Sequence, residues 1–169
     1  MSTALNAVLV GMAVACMCMT AAAAAKRQAD RWSFYHFDGN RFVAGQPGDG
    51  ATFVAVRDGV RPVVVRQPAK IVAIRLAADT GAVAGICYIQ SSGGKLTQGP
   101  AYLPCPRMPV RISTGDRVVA TAETDEQGYF LATLAPGRYR VGDGAGVEVT
   151  VENGTTTLVP LRVGKRMVD

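Results

Sequence analysis

The chain of 169 residues has little of several residue types, and each shortage excludes a class of function. It has one histidine, His36, which excludes sites built on paired imidazoles. Its four cysteines include no Cys-x-x-Cys-His segment, so covalent haem attachment is excluded. The basic residues are scattered, with no extended run and no interleaved series of aromatics. The sequence therefore does not predict nucleic-acid binding.

Charge is also missing from the first part of the chain. Residues Ala4 to Ala25 are uncharged and apolar, and they end in a run of alanines. This pattern is typical of a secretory signal, with cleavage after Ala23 or Ala25. Basic residues follow the apolar stretch and none precede it, so a retained anchor stays open, and Cys16 loosely resembles a lipidation site. We expect residues 1–25 to be a signal peptide or an N-terminal anchor and the protein to be exported, to the periplasm, the outer surface or the medium. Membrane contact is expected only through this segment.

Nineteen glycines, nine prolines and many Val and Thr residues favour short strands and turns over helices. From Thr80 onward, apolar and polar residues alternate in seven segments separated by turn residues. These segments are 82–90, 110–113, 118–124, 129–134, 138–141, 147–152 and 155–163. Two of the turns, at 125–128 and at Asn153-Gly154, predict hairpins. We expect an all-β fold, a seven-stranded sandwich.

Residues 26–78 form a basic, β-rich extension before the sandwich. They hold nine basic and four acidic residues, so the whole net charge of +5 lies here, and residues 79–169 are neutral. The segments 32–37 and 41–43 flank a tight turn and predict a β-hairpin. Strands are also expected at 52–56, 60–65 and 71–76.

The turn sequences resemble those of a known family. Thr-Asp-Glu-Gln-Gly-Tyr-Phe at 124–130 and Leu-Ala-Pro-Gly-Arg-Tyr at 134–139 are similar to motifs of carboxypeptidase regulatory-like (transthyretin-like, prealbumin-type) domains in an exported bacterial variant. The resemblance covers residues 79–163. It implies a prealbumin-like sandwich in residues 79–169, with an N-terminal β-hairpin extension. Because the residues of these motifs form turns, the motifs indicate the fold more than the function.

Two cysteines, Cys87 and Cys105, remain if the first 25 residues are removed. An even number of cysteines in an exported chain predicts a disulfide. The same pairing is implied by the resemblance, in which a cysteine pairs with a later Pro-Cys-Pro. The alternative is two separate buried thiols.

The residue inventory gives little support to catalysis. The related hydrolases and dioxygenases of this fold use two or more histidines, and here there is one. His36, Asp38 and Asp58 lack the spacing of a metal site. Asp125 and Glu126 lie in a predicted turn, which makes a carboxylate hydrolase a poor alternative. We expect no enzyme activity, no cofactor and no metal.

The predicted hairpin carries the aromatic residues most suited to contact. Trp32, Phe34 and His36 point to one face of a strand, whereas Tyr35 and Phe37 point to the other, so one set must meet a second surface. That surface is either the protein's own sandwich or a partner. Arg31, Trp32, Tyr35 and Arg41 are the candidate contacts, for an envelope protein or an anionic polymer.

The expected function is a non-catalytic structural or protein-binding module of the cell envelope. The alternative is a surface-filament or adhesion component in which the extension pairs with a neighbouring copy by strand addition. Self-association would distinguish the second from the first.

Overall fold

The computed structural model describes residues 31–46, 51–66, 71–92, 102–144 and 146–167. The predicted signal or anchor at 1–25 lies outside these residues, as does most of the loop expected after residue 92. The chain divides into two compact units, Met1–Arg31 and Trp32–Asp169. The described part of the second unit consists of strands and turns without a helix, which confirms the all-β prediction.

The N-terminal extension is larger than a hairpin. It forms a four-stranded antiparallel sheet, the N-terminal sheet, in the order β2-β1-β3-β4. Its strands are β1 (Ser33–Phe37), β2 (Phe42–Ala44), β3 (Phe53–Arg57) and β4 (Val60–Val65). The predicted hairpin is confirmed, since β1 pairs with β2.

The sandwich follows in two sheets. The middle sheet is centred on β5 (Gly81–Ser92), which pairs in parallel with β12 (Thr156–Met167) on one side. On its other side β5 pairs with β9 (Tyr129–Leu134) and then with the short β6 (Tyr102–Pro104). The outer sheet has the order β11-β10-β7-β8. Its strands are β7 (Pro109–Thr114), β8 (Arg117–Glu123), β10 (Gly137–Val141) and β11 (Val147–Val151).

Strand β5 is buried on both faces because the middle sheet lies between two apolar cores. Its Val83 and Cys87 belong to the core shared with the outer sheet. Alternate residues Ala84, Ile86 and Tyr88 belong to a second core, shared with the N-terminal sheet. A strand covered on both faces reads as a nearly continuous apolar run, as 81–89 does. The extension and the sandwich therefore share one interior.

Phe37 of the extension connects the two parts. Its ring lies 4.6 Å from that of Tyr88 and 4.8 Å from that of Tyr102, measured between centroids. The Tyr129 hydroxyl on the middle sheet also donates to the carbonyl oxygen of Thr52, at 3.2 Å. The second surface met by the aromatic hairpin is thus the protein's own sandwich.

Two predicted hairpins are wrong, although both turns exist. Strand β8 pairs with β7, whereas β9 pairs with β5, so the turn at 125–128 crosses from one sheet to the other. The turn at Asn153-Gly154 likewise links β11 of the outer sheet to β12 of the middle sheet. Turn residues specify a chain reversal, but the choice of partner is made by the apolar faces that must be buried.

Two smaller predictions also need correction. Segment 71–76 was expected to be a strand, but it forms one bridge, from Arg75 to Val60. Strand β6 was not expected, because Tyr102–Pro104 reads as part of a proline-rich loop. Its pairing with β5 is directed by the packing of Tyr102 on Phe37 and Tyr88.

The double burial of β5 generates a first prediction. Gly85 lies in register with Phe130 on one side and Val159 on the other, and a Cβ there would overlap the Phe130 ring and lie 2.6 Å from the Val159 carbonyl oxygen. Gly85→Ala should lower the free energy of unfolding by about 1–3 kcal/mol, through overpacking. Gly164→Ala is the control, because its Cβ would meet only Ile89, at 4.0 Å. Equal melting temperatures for the two variants would contradict this account of the core.

Candidate functional site

The family-like motif residues are engaged in holding the fold together. The Asp125 carboxylate accepts hydrogen bonds from the backbone N–H groups of Gln127, at 2.8 Å, and Tyr129, at 2.9 Å. Gly128 has a φ of 79°, and a Cβ there would lie 3.1 Å from the backbone nitrogen of Cys105. The turn at 125–128 therefore needs both residues for its shape.

Thr124, the one buried polar residue of this turn region, ties the turn to the next loop. Its hydroxyl donates to the carbonyl oxygen of Cys105, at 2.6 Å, and accepts from the backbone N–H of Met108, at 2.8 Å. Because a buried hydroxyl requires partners, these bonds fix the segment that carries Cys105. The motif residues thus hold the turn and the neighbouring loop in place, and they do not act as exposed reactive groups.

The two cysteines lie next to each other but are free thiols, so the predicted disulfide is not formed in the structure. The backbone N–H of Cys105 donates to the carbonyl oxygen of Cys87, at 3.0 Å. The Cys87 thiol lies 3.7 Å from the Met108 sulfur. Burial, followed by the charge and hydrogen bond of Cys105, raises the pKa of Cys87 to about 12. A thiol with so high a pKa is a poor nucleophile at neutral pH.

A groove lies between the N-terminal sheet and the sandwich. It has a volume of about 560 Å³. We call it the inter-sheet groove; its lining includes Arg61, Val63 and Val64 of β4, Ile74, Glu123 and Asp125 at the end of β8, and Leu131 of β9. Its walls combine an apolar floor with a basic side chain on one side and acidic side chains on the other.

Both walls of the inter-sheet groove are strand edges. Strand β9 pairs only with β5 within the described part of the chain. Strand β4 pairs with β3, and on its free side the Arg61 N–H donates to the Ile74 carbonyl oxygen, at 2.8 Å. Pro62, which lacks an N–H, is typical of such an edge. Ile74 is 56% exposed at the mouth of the groove.

A second hollow, of about 540 Å³, lies on the outer sheet. Arg138 and Arg140 line it together with Glu148 and Thr150. The Arg140 guanidinium lies 3.6 Å from the Glu148 carboxylate, and both side chains are exposed. Pairs of this kind contribute little in water, and the acidic residue offsets the charge that an anionic ligand would need. We therefore favour the inter-sheet groove.

The four predicted contact residues do not converge. Trp32 packs in a small cluster on the face of the N-terminal sheet that points away from the sandwich. Tyr35 is in register with Val54, on the opposite face. Arg31 and Arg41 are both exposed, and the residues of β1 lie between them in the sequence. Arg41 pairs with Asp38 of its own turn, at 3.8 Å.

The sequence analysis missed the groove residues, although two signals were present. A proline inside a valine run, as in Val60–Val65, marks an edge strand. The second signal is the apolar segment Ile71–Leu76, which has too few pairing strands to lie inside a sheet. No local sequence pattern shows that β4 and β9 lie close together, because the two strands are far apart in the sequence.

Two searches of the described residues gave negative findings. None of the described segments is a helix long and apolar enough to cross a membrane. Across the same residues, His, Cys, Asp and Glu side chains form no group of three or more that could hold a metal ion.

Comparison with known proteins gave one structural likeness. Neither a protein-family profile nor a curated protein sequence matches the chain. A minor pilin of the Gram-positive pathogen Streptococcus agalactiae is similar in structure over 76% of this chain, at 15% sequence identity and a TM-score of 0.39. The match spans 66% of the pilin chain, just under two thirds of its length. The function of this chain must therefore be inferred from its own surfaces.

The raised pKa of Cys87 predicts a pH dependence for the reduced protein. The unfolded thiol loses its proton near its ordinary value of 9.0, whereas the folded thiol keeps it up to about 12. Stability is therefore full below pH 9 and falls between about pH 9 and 12. Denaturant unfolding in the presence of a reductant should show this fall, and Cys87→Ala should reduce it. A wild-type curve parallel to that of the variant over this range would contradict the burial of the thiol.

Proposed function

We propose that the protein is an exported, non-catalytic structural and protein-binding module of the cell envelope, with a sandwich of carboxypeptidase regulatory-like type. The roles of Asp125, Gly128 and Thr124 support that assignment, because each motif residue serves the turn or the loop beside it. The topology supports it too, since the seven expected strands, together with the short β6, form two sheets that enclose one apolar core.

The inter-sheet groove is the observation that carries the binding role. An extended polypeptide can add to a sheet edge, where backbone hydrogen bonds supply affinity and side-chain pockets supply specificity. Here two edges, β4 and β9, border one groove whose floor is apolar. A segment lying between them would meet the edge of β9 on one side, the part of β4 beyond the Arg61–Ile74 hydrogen bond on the other, and valine and leucine side chains below.

The charges of the groove select the kind of segment. Arg61 on the β4 wall is exposed and has no ion pair within the described part of the chain. Glu123 on the other wall is also exposed, and it contributes to the raised pKa of the nearby Arg107. A complementary occupant is an extended segment of another envelope protein, with alternate apolar side chains, an acidic group towards β4 and a basic group towards Glu123. Such complementarity favours specificity and orientation.

Asp125 and Glu126, the carboxylates of the hydrolase alternative, have other roles in this proposal. Asp125 accepts two backbone hydrogen bonds in its turn. Glu126 accepts from the Arg107 guanidinium, at 2.7 Å, and both side chains are exposed to solvent. An exposed ion pair and a turn carboxylate lack the enclosed environment that tunes a catalytic acid or base.

Export and a disulfide between Cys87 and Cys105 belong to the same proposal. The adjacency of the two cysteines supports the disulfide, because the backbone N–H of Cys105 is bonded to the carbonyl oxygen of Cys87 and the two side chains interact. The intact mass of protein isolated from the envelope without reductant tests both points. A chain that begins at Met1 in the cytosol, with two alkylatable thiols, would overturn them.

A defined peptide tests the groove. In heteronuclear NMR, a synthetic heptapeptide of alternating valine and threonine, with glutamate at one end and lysine at the other, should shift the amide signals of 63–65 and 129–131. Ile74→Asp should abolish these shifts, because it places a charge at the apolar mouth. Val72→Asp is the matched control, since Val72 is 68% exposed, lies two residues away and does not line the groove.

Two results would contradict the groove proposal. One is a pattern of shifts located on another surface of the protein. The other is equal loss of peptide binding in the Ile74 and Val72 variants, which would indicate nonspecific contact with segment 71–76.

A further inference from the structure

Strand β8 is a sheet edge left open to solvent. It pairs with β7 on one side, and no described residue pairs with its other side. Val118 is 50% exposed and Val119 41% exposed, so two apolar side chains accompany the unpaired backbone. The seven residues of β8 include neither proline nor lysine, the residues that commonly discourage edge-to-edge pairing.

Away from the inter-sheet groove, the other edges in the described structure are protected. Strands β2 and β6 have three residues each, too short for stable pairing. Strand β12 carries Pro160 and a register shift after Arg162. The edge of β11 is partly closed, because the Thr157 hydroxyl donates to the Thr150 carbonyl oxygen, at 2.9 Å. The open state of β8 is thus an exception that needs an occupant.

We infer that β8 pairs with β8 of a second copy of this chain, antiparallel and around a two-fold axis at Thr121. Two four-stranded outer sheets would then form one continuous eight-stranded sheet. This surface is distinct from the extension that the sequence suggested for strand addition. It also goes beyond the proposed binding of an extended segment at the inter-sheet groove.

The register of the pair follows from the shape of β8. A shift in pairing with β7, between Ile112 and Ser113, leaves Val119 as an extra residue and limits the regular edge to 120–123. An axis at Thr121 places Thr121 opposite its own copy and Ala120 opposite Ala122. Threonine pairs across strands stabilise antiparallel sheets, and alanines permit close approach.

Charge favours the antiparallel arrangement of two copies. Arg117 stands at one end of β8 and Glu123 at the other, and both are exposed. Arg117 has no ion pair in the described residues, and Glu123 lies close enough to Arg107 to contribute to its raised pKa. Antiparallel pairing brings Arg117 of each copy to the acidic end of the other, near Glu123 and Asp125. Parallel pairing would instead place the two Arg117 side chains together, which is unfavourable.

The association should be weak. A regular edge of four residues on each side gives an interface below the roughly 1,000 Å² typical of stable complexes. Dimers should therefore form at high local concentration, as on a crowded surface, and dissociate on dilution. This matches a role in lateral contact between neighbouring copies.

Cross-linking tests the axis directly. In a full-length chain with Cys16→Ser and Cys18→Ser, Thr121→Cys should form a disulfide-linked dimer under oxidised glutathione. Residues directly opposite in antiparallel strands have Cα atoms about 4.5–5.5 Å apart, within the range of a disulfide. Thr150→Cys is the matched control, because it is an exposed threonine on β11, the opposite edge of the same sheet.

A charge exchange tests the orientation. Arg117→Glu should slow cross-linking roughly fivefold by removing an exposed ion pair. Adding Glu123→Arg should restore the rate, since the exchanged charges again oppose each other. Circular dichroism of each variant checks that the fold is kept.

Two outcomes would overturn the inference. One is cross-linking at position 121 no faster than at position 150. The other is a double charge variant as slow as Arg117→Glu alone. Because Thr121 does not line the inter-sheet groove, the cross-linking comparison leaves the peptide-binding result to stand or fall separately. Glu123 does line the groove, so the charge exchange is assessed by the rate of cross-linking alone.

Discussion

The burial of β5 on both faces is the constraint on which the rest of the structure depends. A strand covered on two sides must present apolar side chains in both directions, and Val83, Ile86 and Tyr88 do so. Small residues are needed where neighbouring side chains cross it, as Phe130 crosses Gly85. The N-terminal sheet is consequently part of the fold, since without it one face of β5 would be exposed.

The same strand explains why the turn motif is structural. The backbone N–H of Cys87 donates to the carbonyl oxygen of Gly128, at 2.8 Å, and Thr124 holds the loop that brings Cys105 to the carbonyl of Cys87. These contacts connect the turn at 125–128, the Cys105 loop and β5 at one point. A substitution in the motif would therefore affect the packing of the interior more than it would affect any binding surface.

The sequence predicts the bounds of a strand best where that strand shows one clear residue pattern. Strands β4 and β9 have the predicted bounds, because alternation and flanking turn residues agree there. Pairing was less predictable, as Asn153-Gly154 shows: this turn reverses the chain equally well within one sheet or between two. The choice depends on which buried face β12 completes, and that is a property of the distant β5.

The candidate sites depend still more on long-range arrangement. Arg61 and Glu123 stand on walls contributed by separate sheets, and no spacing in the sequence relates them. The predicted contacts at Arg31 and Arg41 were chosen from local composition, and β1 separates them. An open edge such as β8 becomes recognisable only once the other strands have partners.

The central claim is that the N-terminal sheet and the sandwich share one interior through β5. Trp32, the only tryptophan, lies in the N-terminal sheet, so its fluorescence reports on that layer, while far-ultraviolet circular dichroism reports on all strands. Denaturant unfolding followed by both signals should give one coincident, cooperative transition. A Trp32 transition at clearly lower denaturant would show that the extension unfolds alone and would contradict the shared core.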